Sequence, residues 1–144
     1  MNRNNTIKEL PTAGLVVIKN RQLLLAYSKN RQAWYLPGGK IDKGETAVQS
    51  LIREIKEELS LVIKEQELTF FRHITAPAYG EADYIIMEQD CFLYELTQDI
   101  EPRNEIAAVR FFDEPSYRKE PAQVPGVLLL FGHLKADGLI MQDC

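Results

Sequence analysis

Two periodicities divide the chain. The runs AGLVVI (13–18) and QLLLAYS (22–28) are aliphatic and β-branched, and the KNR between them predicts a hairpin. RQAWYLPGGKIDKGE follows as a short extended piece and a glycine-punctuated loop, because Pro37, Gly38, Gly39 and Gly44 interrupt regular structure. The period then lengthens to that of a helix: Val48, Leu51, Ile52, Ile55 and Leu59 form one apolar stripe that must face a core. Thr46 and Gln49 stand in capping-box relation just ahead of the stripe and set the helix start. Beyond it, LTFFRHI (68–74), a run from Tyr84 to Leu96, and AVRFF (108–112) predict strands, with TAPAYGEAD as a loop between the first two. VPGVLLLFGHLKADGLI predicts a closing helix, with Pro125 near its first turn and Asp137-Gly138 ending it.

No repeat, low-complexity tract or linker breaks this order. The expectation is one domain over residues 1–144, of mixed α/β (α+β) class with helices packed on a mixed sheet, and with residues 1–10 as a flexible polar tail. A net charge of −4 argues against a nucleic-acid partner or an anionic membrane surface. MNRNNTIKEL lacks the apolar segment of a signal peptide and VLLLF is too short to span a bilayer, so the cytoplasm is the expected location. Of the two cysteines, Cys91 and Cys144, the first lies in an apolar run and is expected to be a small buried hydrophobe. Monomer and homodimer both stay open.

Charge patterning on the central helix changes the picture. Glu54, Glu57 and Glu58 fan over a sector of roughly 100° on the polar flank. Like charges at these spacings destabilise a helix by ~0.2–0.5 kcal/mol per pair, which a solvated acidic stripe would tolerate. The alternative is a cation site: hard carboxylate oxygens suit Mg²⁺, with Mn²⁺ also allowed, and a cation offsets the repulsion. Such a site suits cleavage of a diphosphate, where charge builds on phosphoryl oxygens. Gly38 and Gly39 lack side chains and let backbone approach a metal or phosphate. Lys40 either neutralises a phosphate or is an exposed loop lysine.

Gly39, Glu45, Arg53-Glu54-Ile55, Glu57-Glu58, Ser60 and Leu61, with LPGG ahead of them, are spaced as in the Nudix box, and the chain resembles the Nudix hydrolase family, MutT-like members included. Eight of the nine fixed positions match; the exception is Ser60, where the family usually has glycine. The resemblance implies an α/β/α sandwich with a loop–helix–loop motif, a Mg²⁺-dependent hydrolase and a nucleotide substrate. It implies Glu54, Glu57 and Glu58 as metal ligands, with a carbonyl at Gly38, and places Arg53 and Glu45 as residues that join loop to helix and orient the carboxylates. Glu105 would bind a further metal or serve as base, a role for which Glu57 also stands and for which Glu81 and Asp83 compete. Pro77 and Tyr79, sixteen and eighteen residues past Leu61, match marks of ADP-ribose and diadenosine polyphosphate hydrolases respectively. The matching PGGKIDKGE and the short chain place nucleoside triphosphates first, with a non-catalytic nucleotide sensor as the rival. Trp34 stacks on a base or packs, and His73 and His133 are expected to be structural.

Overall fold

Strands form where the aliphatic runs place them, but they divide between two sheets. The computed structural model describes residues 6–140. In the first sheet, β5 (Gly38–Lys40), β1 (Lys8–Val16), β7 (Ile85–Leu93) and β6 (Thr69–Pro77) lie in that order, with β1 parallel to β7 and the other pairs antiparallel. The second is antiparallel: β2 (Ile18–Lys19), β3 (Gln22–Ser28) and β4 (Ala33–Tyr35), with β8 (Ile106–Phe112) on the other edge of β3. Helices α1 (Ala47–Leu59), α2 (Glu114–Tyr117) and α3 (Pro125–Ala136) complete the described elements, with a 3₁₀ turn at Glu65–Glu67.

Three expectations are corrected. The hairpin is confined to Ile18↔Leu23 and Lys19↔Gln22, around Asn20 and Arg21 at φ 52° and 61°, as a primed two-residue turn requires. The body of the AGLVVI run instead pairs in parallel with β7, because its side chains are apolar on both faces and such a strand needs cover on both. Residues 8–10 are not tail: Lys8, Glu9 and Leu10 pair with Ile85, Ile86 and Met87, held by backbone bonds that polar side chains do not advertise. Residues 1–5 of the expected tail lie outside the described residues. Gly38 and Gly39 form a strand rather than a loop, paired with Gly14 and Ala13.

Two cores flank the sheets. Leu51, Ile55 and Leu59 of α1 are fully buried against Ala13, Leu15, Val17, Leu24 and Phe92. On the opposite side Val127, Leu130, Phe131 and Leu134 of α3 pack with Val16, Leu23, Leu25, Cys91 and Phe112. Consecutive residues of β3 therefore serve opposite cores, and the layering is helix, sheets, helix. Burying each such leucine contributes about 1.5–3 kcal/mol, so Leu51→Ala would loosen α1 from the sheet that aims it. Cys91 is buried as expected, its thiol pushed up to about 12 by burial. No helix among the described residues is long and apolar enough to cross a membrane.

Candidate active site

Helix α1 begins where its cap dictates. Thr46 accepts from Gln49 N at 3.1 Å and the Gln49 side chain accepts from Thr46 N at 2.9 Å, satisfying two otherwise unpaired donors. With the apolar stripe seated on β1, the polar flank is turned toward β5. At Gly39 a Cβ would stand 2.7 Å from the Glu54 carboxyl carbon and push that carboxylate aside. At Gly38, with φ +136°, a Cβ would meet the Ala13 carbonyl oxygen at 2.0 Å, and its amide donates to Glu58 Oε1 at 3.2 Å.

A cleft of about 530 Å³ opens between the sheets. Gly38, Gly39, Lys40, Glu54, Glu58 and Glu105 all line it, so most of the residues singled out by sequence meet in one place. Glu105 reaches it from the turn just ahead of β8, held by a hydrogen bond from the Ser28 hydroxyl. Glu57 and Arg53 are not in the lining; the Glu57 side chain is 53% exposed at the rim, 3.5 Å from Arg53 Nη1. Asp83 is also absent from the lining, whereas Glu81 is in it, paired with Arg31 and 4.0 Å from Lys40 Nζ. Trp34 packs edge-on to Tyr27 and Phe112 and donates to Glu120, away from the cleft. His73 sits between Asp90 and Glu88 at 2.7 Å from each.

Electrostatics split the motif in two. Arg53 grips Glu45 with two bonds, 2.7 and 2.9 Å, and reaches Asp42 at 3.2 Å and Glu54 at 3.2 Å, tying the 42–45 turn to α1. That guanidinium holds the Glu45 carboxyl down at about 2, and Glu45 in turn raises Arg53. Burial does the reverse to Glu58: its carboxyl is pushed up to about 8 despite the bond from Gly38, and Glu54 is raised by burial against the pull of Arg53. Among the described residues no three His, Cys, Asp or Glu side chains are gathered closely enough to hold a metal ion. The three helix glutamates are instead spread, with Glu54 and Glu58 inside and Glu57 at the rim beside Arg53.

Several lining residues escaped the sequence reading: Thr12, Arg31, Tyr35, Met87 and Gln89. Thr12 and Gln89 are 77 positions apart and meet only because β1 and β7 pair. No local signal could have found them.

Comparison with known proteins bears on the fold and the family. The chain is 37% identical over 60 residues to an RNA pyrophosphohydrolase of Tolumonas auensis, a match covering 41% of this chain and 33% of that protein. The matched segments span about a third of the first curated relatives' length. Among solved structures, the MutT protein from Methanosarcina mazei Go1 superposes with a TM-score of 0.72 at 15% identity, covering 92% of this chain and 96% of that one. A bifunctional NMN adenylyltransferase/ADP ribose pyrophosphatase from Francisella tularensis, complexed with AMP and a manganese ion, gives 0.67 at 19%, covering 91% of this chain and 42% of that one. At such identities the likeness is one of fold. The family described as NUDIX domain matches residues 8–127, from the first strand into the last helix, and by that match the chain belongs to the NUDIX family.

Proposed function

We propose that the chain hydrolyses a diphosphate linkage in a nucleoside diphosphate joined to another group, with nucleoside triphosphates first among the substrates. The observation that carries this reading is the meeting in one cleft of Glu54 and Glu58 from α1, Gly38 and Gly39 from β5, and Glu105 from the turn just ahead of β8. A cleft so acidic repels a polyphosphate unless cations intervene.

The residues fit Mg²⁺ or Mn²⁺. Their donors are hard carboxylate oxygens, and the missing Cβ of Gly39 keeps the Glu54 carboxylate uncovered. Glu58 is a half-buried acid that no Arg or Lys among the described residues pairs with, so its ionised form calls for a cation from outside the chain. Glu54, Glu58, the Gly38 carbonyl and Glu105 would hold it once their side chains draw together, and Glu57 would join them by turning in from beside Arg53. When bound, such a cation supplies charge for the phosphoryl oxygens and acidity for a water.

The chain's own groups do the rest. Glu105, held by Ser28 inside the cleft, takes the proton of the attacking water, with Glu57 as the second candidate. Arg53 keeps Glu54 and Glu57 in place through its contacts at 3.2 and 3.5 Å. Lys40 lines the cleft and meets a phosphate. The manganese ion and AMP on the Francisella neighbour support the cation and the nucleotide.

A second reading, dinucleoside polyphosphates, is favoured over ADP-ribose by one observation: Tyr79 lines the cleft and Pro77, the last residue of β6, does not. The test is a panel of nucleoside triphosphates, ADP-ribose and dinucleoside polyphosphates with Mg²⁺ or Mn²⁺, scored for phosphate, pyrophosphate and mononucleotide. Cation-dependent turnover supports the reading. Tight binding of an unhydrolysed nucleotide, with no turnover of any substrate, would replace it with the sensor.

A further inference from the structure

Residues from both sheets meet at the rim of the cleft. The β6–β7 loop, residues 78–84, belongs to the first sheet, while the turn at 29–32 between β3 and β4, and Tyr35 at the end of β4, belong to the second. Two neighbouring ties join them. The Tyr35 hydroxyl donates to the Tyr79 carbonyl at 3.4 Å, with the two rings edge-to-face at 6.0 Å. Next to it, Arg31 donates through Nη1 to the Gly80 carbonyl and through Nη2 to the Glu81 carboxylate, at 2.5 Å each. Arg31, Tyr35, Tyr79 and Glu81 all line the cleft.

The loop is shaped to receive the guanidinium. Gly80 has φ +80°, and a Cβ there would stand 2.4 Å from Arg31 Nη1, so a side chain at this position would displace the arginine. Charge at the rim is spent internally. Among the described residues that line the cleft the cationic side chains are Arg31 and Lys40, and both face the same oxygen, Glu81 Oε2, Lys40 from 4.0 Å. A guanidinium meets a carboxylate and a phosphate with the same pair of N–H donors, so Glu81 stands where a phosphoryl group would bind. The hold is weak, because the Arg31 and Glu81 side chains are 37% and 23% exposed and solvated ion pairs contribute little.

We propose that Arg31 binds the terminal phosphoryl group of the substrate and that Glu81 is its built-in competitor, strapping the β6–β7 loop across the rim until that phosphoryl group takes its place. This rests on the reading of the cleft as a site for diphosphate cleavage and deepens it. A terminal phosphoryl group brings about two negative charges and three acceptor oxygens, against the single charge of a carboxylate, so the exchange on Arg31 favours the phosphate. Lys40 is released by the same step. A phosphoryl group bridged on both sides carries a single charge, matches what Glu81 already supplies, and leaves the strap closed. Arg31 therefore selects substrates that end in a free phosphate, and the loop opens only for them.

The test reads the sign of each change. Two non-hydrolysable probes are titrated in saturating Mg²⁺ and followed by NMR, for wild type, Glu81→Gln and Arg31→Gln: methylenediphosphonate, whose phosphoryl groups are both terminal, and the methylene-bridged analogue of ADP-ribose, whose phosphoryl groups are both internal. Glu81→Gln keeps the shape of the contact and removes its charge. It is expected to bind methylenediphosphonate roughly two- to fivefold more tightly than wild type, and Arg31→Gln to bind it more weakly by a similar factor. The ADP-ribose analogue is expected to shift less than methylenediphosphonate in both variants. A pair that only pinned the loop would move both variants in the same direction, and that result overturns the proposal. So does an equal loss of both probes in Arg31→Gln, or no binding of methylenediphosphonate by any of the three proteins. A poorly folded Arg31→Gln is replaced by Arg31→Met, with the same expectations. Absence of hydrolysis by wild type with these binding results intact counts against the proposed reaction alone.

Discussion

Glu45 and Glu58 belong to one sequence motif and stand at opposite extremes, the first carboxyl held at about 2 and the second pushed to about 8. The difference lies in where the compensating cation comes from. Glu45 has Arg53 on both oxygens. Glu58 is half-buried beside Gly38, with no cationic side chain paired to it among the described residues. The first pair makes structure, and the second carboxyl is the one that the proposed divalent ion would neutralise.

The largest expected effect breaks the second half of this contrast. Glu58→Gln should lower cation-dependent turnover by ~10²–10⁴-fold, while in EDTA at pH 8 the variant melts higher than wild type because a half-buried acid no longer ionises. Turnover within a few-fold of wild type, measured over a Mg²⁺ titration, would remove Glu58 from the site.

Arg53→Gln attacks the first half. Glu45 loses both bonds from Arg53, keeping the one from Asp42 N, and Glu54 loses its neighbour, so the Mg²⁺ concentration for half-maximal rate should rise by roughly 10–100-fold, and the melting temperature should fall. A Mg²⁺ dependence like that of wild type would reduce Arg53 to an ordinary helix ion pair.

The two carboxyls also predict opposite pH signatures. Glu58 binds its proton more tightly folded than unfolded, so its contribution to stability is full below the ordinary 4.5 and declines as pH climbs toward about 8, by on the order of a few kcal/mol. Glu45 binds its proton less tightly when folded; its contribution is present above 4.5 and is lost as pH falls toward about 2. Thermal melting in EDTA between pH 5 and 8.5 should show a downward drift that Glu58→Gln flattens and saturating Mg²⁺ opposes. A flat wild-type profile would contradict the assignment.

The smallest effect is a control that touches neither carboxyl. Ser60 ends α1 at φ 63°, a left-handed conformation that glycine adopts freely, and its hydroxyl donates to the Glu101 carbonyl at 2.9 Å. Ser60→Gly exchanges strain relief for one exposed hydrogen bond, so stability should change by less than ~1 kcal/mol and turnover by no more than a few-fold. A large loss of rate in the folded variant would give the hydroxyl a role beyond the helix end.

Helix α1 was legible because its signals are local. The Thr46–Gln49 cap, the stripe from Val48 to Leu59 and the glutamates lie within fourteen residues, and the structure reproduces the helix from its cap to its last turn. The sector holding the glutamates was too coarse to tell that Glu57 would sit at the rim while Glu54 and Glu58 turned inward. Glu105 was reached only through the family resemblance, for what fixes it, Ser28, comes from 77 residues earlier. The Thr12–Gln89 wall was invisible for the same reason as the parallel pairing that makes it: neither strand carries a mark of its partner.

The stretch after Glu58 that returns to the end of α1 has a mechanical consequence. Glu101 N bonds the Leu59 carbonyl at 3.0 Å, Arg103 N the Glu58 carbonyl at 2.8 Å, and Asn104 Nδ2 the Glu57 carbonyl at 2.9 Å. These carbonyls are among those a helix end leaves without partners. The segment that splints them is the one whose next residue is Glu105, so fraying of the last helical turn and withdrawal of Glu105 are a single opening event. In amide hydrogen exchange, Glu101 and Arg103 should open together at one common rate, and a substrate that immobilises Glu105 should slow both.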